Sequence, residues 1–313
     1  MAPTEPRSSH AESPHHGDDL SEDLMRLGAL LGRRKAIGWL SGAATFALLG
    51  GCGSDSGGGG NVVVAPTPSP SPSPTLTPTP VPSPTATATP TPVCIATPSE
   101  TRGPYPADGT NATSGSTNNV LTASGVVRSD IRSSFIGSTT VAGGVQLTLT
   151  ITLNAINSCT PLAGYAIYIW HANALGRYSL YDVPAETYLR GVQVTDSNGR
   201  VTFTTIVPGC YAGRFPHINV QVFGSLALAN SGTNARLVSQ LIVPTAVCTA
   251  VYADTTTYAG SQANFGAVSV ANDNVFGDNT AAENAGRTLD ATGSVSAGYT
   301  ATVTLTVNPS GTP

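Results

Sequence analysis

The sequence is poor in charge. Only 10% of its 313 residues are Asp, Glu, Lys or Arg, where a folded domain carries about 25%. The shortage is local. No charged residue falls between Gly57 and Ser99, and eleven of the 24 prolines crowd between Pro66 and Pro92. Lysine is nearly missing, with Lys35 the single example, and the formal net charge is −4. Without a basic patch the chain lacks the electrostatic footprint that holds nucleic acid. An acidic tail is missing too. The apolar run Ala36 to Leu49 falls short of the roughly 20 residues that span a bilayer, which excludes a polytopic membrane protein.

What stands around that run is informative. Gly32-Arg33-Arg34-Lys35 precedes it and Gly50-Gly51-Cys52 follows, giving the charged region, apolar region and small-residue cleavage site of an export signal over residues 1–51. Leu49-Gly50-Gly51-Cys52 resembles a bacterial lipobox, which implies a lipidated Cys52 at the start of the mature chain. Arg33-Arg34 resembles a twin-arginine signal, with Ala36-Ile37 where Phe-Leu is usual. The expectation is an exported protein, anchored by lipid to the bacterial cell envelope and touching membrane only there. Residues 52–93 run through Gly/Ser into repeated Thr-Pro and Ser-Pro. Such sequence buries too little apolar surface to fold and favours extended polyproline II at about 3.1 Å per residue, so it reads as a disordered stalk.

About 220 residues remain from Cys94 on, enough for one domain with a substantial core. Four cysteines lie in it: Cys94, Cys159, Cys210 and Cys248. In an exported chain an even count suggests disulfides, with three connectivities open. None are spaced as close pairs of zinc ligands.

No long helical period occurs beyond residue 94. Val145 to Leu153 instead alternates apolar residues with Thr or Gln, the pattern of a half-buried strand. Similar runs occur at Val120–Val127, Ala166–Trp170, Val192–Thr195, Val201–Thr205, Ile218–Phe223, Leu237–Val243 and Ala301–Val307. Asp196-Ser197-Asn198-Gly199 is a hairpin signal. The chain after Asn230 reads as irregular strands and loops. The fold class expected is all-β, a sandwich of mainly antiparallel strands over 94–313.

Three segments carry candidate chemistry: Trp170-His171 leading to Tyr178-Ser179, Pro208-Gly209-Cys210-Tyr211, and Arg214-Phe215-Pro216-His217-Ile218-Asn219. Residues i and i+2 of a strand share a face, so His217 and Asn219 point the same way. Tyr211 and Arg214 lie a few residues upstream.

With Thr101-Arg102-Gly103-Pro104-Tyr105, Leu189-Arg190-Gly191 and Thr195-Asp196-x-x-Gly199, these segments resemble the intradiol ring-cleavage dioxygenases in order and spacing. The resemblance implies a mononuclear Fe(III) held by two Tyr and two His. By position the ligands are Tyr178, Tyr211 and His217. It also implies an aromatic diol as substrate, O2 as co-substrate, a muconate-type diacid as product, Tyr211 as the phenol that takes a substrate proton, Arg214 as the charge that stabilises the activated ring, and Tyr105 as a substrate wall. Fe(III) suits phenolate and imidazole, and a bound cation lets Tyr ionise at neutral pH.

One departure stands out. The family motif ends His-x-His, whereas this chain has His217-Ile218-Asn219, and an Asn carbonyl is a weaker donor than imidazole. His10, His15 and His16 precede the signal's apolar run, and His171 reads as a wall residue. Two readings follow: an iron dioxygenase with Asn219 in the fourth ligand position, or a β-sandwich binding module that lost catalysis there.

Overall fold

A computed structural model describes residues 94–113 and 116–311. The export signal, Cys52 and the Pro-rich stalk lie outside the described residues. The described chain is built from two four-stranded sheets and a hairpin. The hairpin pairs β1 (Asp108–Thr113) with β2 (Ser116–Asn119). The first sheet holds β3 (Gln146–Ala155), β6 (Arg200–Ile206), β9 (Asp290–Ser294) and β10 (Gly298–Val307) in the order β6-β3-β10-β9. The second holds β4 (Ala166–Trp170), β5 (Arg190–Val194), β7 (His217–Phe223) and β8 (Leu237–Ile242) in the order β5-β4-β7-β8. The pairs within both sheets are antiparallel except β3 with β10, which is parallel. This is the all-β sandwich expected from the sequence.

The alternation in β3 has the predicted consequence. Leu147, Leu149, Ile151 and Leu153 turn inward and are at most 1% exposed, while the threonines between them face out. Each such burial is worth about 2 kcal/mol. The second sheet behaves differently, because β4, β7 and β8 are buried at every position. Ile218, Val220 and Val222 of β7 join the core between the sheets. The other face of that sheet packs Tyr168, Trp170, Phe223 and Val238 against Ala107, Val120, Leu121 and Val126 from the N-terminal segment. A sheet covered on both sides needs no polar face, so the polar residues standing there call for another reason.

Three expectations need correction. Val120–Val127 forms turns, not a strand: its apolar residues pack on the second sheet's outer face, and only its end pairs, through a single parallel bridge between Val127 and Val192. The turn at Asp196–Gly199 forms, with Asp196 Oδ1 accepting from Asn198 N at 2.8 Å and Arg200 N at 2.9 Å. It joins β5 to β6, however, which belong to different sheets, so it is a crossing and not a hairpin. The region after Asn230 carries three short helices: α1 (Thr245–Val251), α2 (Ser261–Gly266) and α3 (Ala281–Arg287). The Thr280/Glu283 capping box that starts α3 was readable as a local signal.

Of the cysteines, Cys94 and Cys159 form a disulfide. Cys210 and Cys248 are free and buried. Burial raises both thiols, Cys210 to about 12, which leaves them protonated and inert.

Candidate metal and active site

The site sits on the outer face of the second sheet, where β4 ends and β7 begins. Tyr178 stands in the loop after β4. Asn173 shapes that loop by accepting from Leu175 N and Arg177 N, each at 3.0 Å, and Tyr178 N donates to Asp182 Oδ2 at 2.7 Å. Tyr211 stands in the connection from β6 to β7. A close approach locks the two loops together. Gly209 N donates to Asn173 O at 3.0 Å, and a Cβ on Gly209 would lie 2.3 Å from Ala174 O. Only glycine fits there. The contact sets the Tyr178 and Tyr211 rings edge to face, with centroids 5.8 Å apart.

His217 opens β7. Its Nδ1 lies 2.6 Å from Phe215 O. A carbonyl only accepts, so Nδ1 carries the proton and Nε2 presents a lone pair. Tyr211 Oη stands 3.3 Å from that Nε2, and the Tyr178 and Tyr211 hydroxyls are close enough to influence each other's ionisation. Ligands each about 2 Å from a shared ion stand roughly 3 Å apart, and the 3.3 Å between Tyr211 Oη and His217 Nε2 fits two of them. The donor chemistry fits as well, being two phenols and a neutral imidazole. No three His, Cys, Asp or Glu side chains cluster for a metal among the described residues, so any metal here depends on the phenols.

Asn219 is fully buried two residues along the same face. Its Nδ2 donates to Trp170 O at 3.2 Å and to Tyr178 Oη at 3.3 Å. Its Oδ1 has no hydrogen-bond partner, and a Cβ on Gly103 would stand 2.3 Å from it. Gly103 adopts φ +70°, which favours glycine. Turning the amide over would press Oδ1 against the Trp170 carbonyl. Asn219 as oriented therefore offers its hydrogens to Trp170 O and Tyr178 Oη and turns its carbonyl oxygen toward Gly103.

Arg214 is buried at one edge. Its Nε donates to Asp273 Oδ2 at 3.0 Å and Nη2 to Gln240 Oε1. Asp273 also accepts from Phe215 N at 2.7 Å and Val275 N at 2.8 Å. Burial pushes the Asp273 carboxyl up, but the Arg214 charge and these N–H donors outweigh it and hold it below its usual value. Tyr105 is half-buried. Its ring stacks on Tyr181 at 4.5 Å and meets Tyr178 edge-on at 5.5 Å. His171 stands apart from the donors, with Nδ1 2.8 Å from Ala172 O and Nε2 2.7 Å from Thr205 Oγ1.

Burial dominates the electrostatics. It raises the Tyr178 phenol against the opposing bonds from Tyr211 and Asn219, and raises Tyr211 much further. Burial and then Arg214 push His217 down to about 3. Both phenols and the imidazole are neutral at pH 7 in the free protein, so ionising the tyrosines requires a cation among them.

The structure thus brings together Tyr178, Tyr211, Arg214, His217, Asn219 and Tyr105. Sequence reasoning missed Gln240 and Asp273, which anchor Arg214. A polar Ser239-Gln240 pair inside the apolar β8 run was the available signal for the first.

Comparison with known proteins agrees with the geometry. Residues 138–237 match the sequence model of a dioxygenase family. Over 97 residues the chain is 33% identical to the protocatechuate 3,4-dioxygenase beta chain of Burkholderia cepacia, covering 27% of this chain and 39% of that one. The intradiol ring-cleavage dioxygenase of Tetranychus urticae shares the fold, with a TM-score of 0.54 at 23% identity over 70% of this chain and 98% of that one. A second solved dioxygenase aligns with a TM-score of 0.54, at 22% identity over 70% and 97%. Residues 138–237 thus resemble dioxygenases in sequence, and the described domain shares the fold of the solved intradiol ring-cleavage dioxygenase. The chain spans about two fifths of the length of the curated relative it matches.

Proposed function

We propose that the domain is an Fe(III)-dependent dioxygenase that opens a catechol-type ring between its two hydroxylated carbons, using O2 and giving a muconate-type diacid. The observation that carries this reading is the approach of Tyr211 Oη to His217 Nε2 at 3.3 Å, with the Tyr178 ring edge-on to Tyr211. These three residues would hold the metal. When bound, Fe(III) supplies the charge that ionises phenols and diol at neutral pH and the redox capacity that brings the ring and O2 together.

The chain's own groups divide the remaining work. Asn219 tethers the Tyr178 oxygen through an N–H and leaves the Tyr211 oxygen free of that tie. Tyr211 is also the less buried of the two, so it is the phenol placed to take a proton from a substrate hydroxyl. Arg214 is locked by Asp273 and Gln240, and a fixed cation there stabilises negative charge on the ring without reorganising. Tyr105 forms an aromatic wall. Export and lipid anchorage through Cys52 belong to the same reading and would place the reaction in the cell envelope. The second reading, a binding module for an aromatic diol, draws its support from Asn219, whose Nδ2 donates to Tyr178 Oη.

The test is an iron assay with a visible spectrum on the purified protein, loaded anaerobically with iron and then oxidised in air. The dioxygenase reading expects stoichiometric iron and a burgundy tyrosinate band. The band should shift with catechol and vanish in the Tyr178→Phe, Tyr211→Phe double variant. A colourless protein that gains iron and colour only on Asn219→His would reverse the choice in favour of the module.

A further inference from the structure

Arg190 is a buried cation without an anion beside it. The residue is 1% exposed, and it enters no ion pair among the described residues. Its bonds go to neutral oxygens. Nε donates to Ser179 Oγ at 2.9 Å, and Nη2 to Ser179 O at 2.8 Å. Nη1 donates to Tyr105 O at 2.8 Å and to Tyr168 Oη at 3.2 Å. Taking a guanidinium out of water costs several kcal/mol before its bonds repay it. A core position that only needed filling would hold an apolar residue.

The oxygens it grips belong to two segments far apart in sequence. Ser179 follows Tyr178 in the loop after β4, whereas Tyr105 lies in the strap that covers the sheet. The register shows how the strap runs. Arg190, Trp170, Asn219 and Gln240 form one row across β5, β4, β7 and β8. Gly103-Pro104-Tyr105 crosses that row from the opposite end. Gly103 sits on Asn219 and Gln240, Pro104 O accepts from Trp170 Nε1 at 3.1 Å, and Tyr105 O accepts from Arg190. The strap therefore moves from strand to strand and ends on the guanidinium.

Backbone strain gathers at the same place. Five non-glycine residues have positive φ among those described, and three adjoin the fork. Tyr105 (φ +61°) accepts from it, Leu180 (φ +69°) follows Ser179, and Leu189 (φ +58°) precedes Arg190. Each such conformation is sparsely populated and persists only where its surroundings impose it.

We propose that Arg190 is a positioning residue that ties the Tyr105 wall to the Tyr178 loop, so that the pocket's aromatic wall and the phenol behind it are ordered as one unit. The functional meaning rests on the roles given above to Tyr105 and Tyr178, but the tie itself needs no metal. A planar guanidinium reaches both segments at once. Lysine carries the charge on a single nitrogen and cannot hold that fork.

Amide hydrogen exchange on the metal-free full chain tests the tie, comparing wild type, Arg190→Lys and Ser179→Ala. Arg190→Lys should speed exchange by roughly tenfold in both 105–110 and 178–183, with β3 and β10 unchanged. Ser179→Ala should loosen 105–110 as well, although the hydroxyl it removes contacts Arg190 and not the strap. Faster exchange confined to the 178–190 loop, or found in neither segment, would overturn the proposal. If Arg190→Lys does not fold, Ser179→Ala decides alone. In iron-loaded protein, Ser179→Ala should raise KM for catechol several-fold more than it lowers kcat. A wild type that takes up no iron defeats the dioxygenase reading and leaves the exchange result to judge the tie.

Discussion

Asn219 Nδ2 lies 3.3 Å from Tyr178 Oη, one strand alternation beyond His217. The same nitrogen bonds the Trp170 carbonyl of the neighbouring strand, so its direction is set by the sheet. The residue that interrupts the His-x-His pattern is thus a fixed donor to one phenol of the donor set. Its carbonyl is turned away, beneath Gly103.

That arrangement makes Gly103 and Asn219 energetically dependent on each other. Gly103→Ala should destabilise the domain by about 2 kcal/mol or more, since it adds a Cβ 2.3 Å from Asn219 Oδ1 at φ +70°. Combining it with Asn219→Ala removes the clash with Oδ1 but leaves Gln240 Nε2 at 2.9 Å and the strain. A double-mutant cycle from urea unfolding should show a coupling of at least ~0.5 kcal/mol. Simple additivity would mean the strap does not rest on Asn219.

Asp273→Asn should cost about 3 kcal/mol in urea unfolding, because it leaves the Arg214 charge buried without its carboxylate. The donor set of Tyr178, Tyr211 and His217 is not altered by this change. Iron-loaded variant should therefore keep its colour while turnover of catechol falls by at least about tenfold. Equal loss of colour and turnover would place Asp273 in the metal's support instead.

Stability of the metal-free protein should fall on mild acidification. Burial holds His171 at about 4, below its ordinary value of 6.5. Between those values the unfolded chain binds a proton that the folded one refuses. The stabilisation is therefore complete above about pH 6.5 and is lost as pH falls toward 4, at about 1.4 kcal/mol per pH unit for one imidazole. His217, held at about 3, acts with the same sign. Urea midpoints from pH 7.5 to 4.5 should show the slope, and His171→Gln should reduce it by about one proton.

The disulfide closes a loop of 65 residues in sequence separation between Cys94 and Cys159. Chain entropy alone makes such a link worth about 4 kcal/mol. Cys94→Ser should lower stability by about 2–4 kcal/mol under oxidising conditions. Reductant should bring wild type to the variant's level, as read by denaturation with and without it.

Much of this was legible in residues alone, wherever the physics is local. Alternation in Val145–Leu153 set a strand with one greasy face, because strand geometry turns successive side chains to opposite sides. The resemblance to intradiol dioxygenases drew Tyr178, Tyr211, Arg214 and His217 to one site, and i, i+2 placed Asn219 beside His217. The turn at Asp196–Gly199 was equally local. Its strands' partners were not, since pairing depends on which sheet each strand joins. Val120–Val127 misled because apolar residues are buried as readily from turns as from a strand. Tertiary structure alone decided the rest. Asn219 turns its nitrogen to Tyr178 because Trp170 O and Gly103 leave no other choice. Arg214 meets Gln240 and Asp273 from 26 and 59 residues away, and Arg190 reaches Tyr105 across 85. Those contacts join segments with no sequence relation, and only packing over the second sheet brings their donors and acceptors within bonding distance.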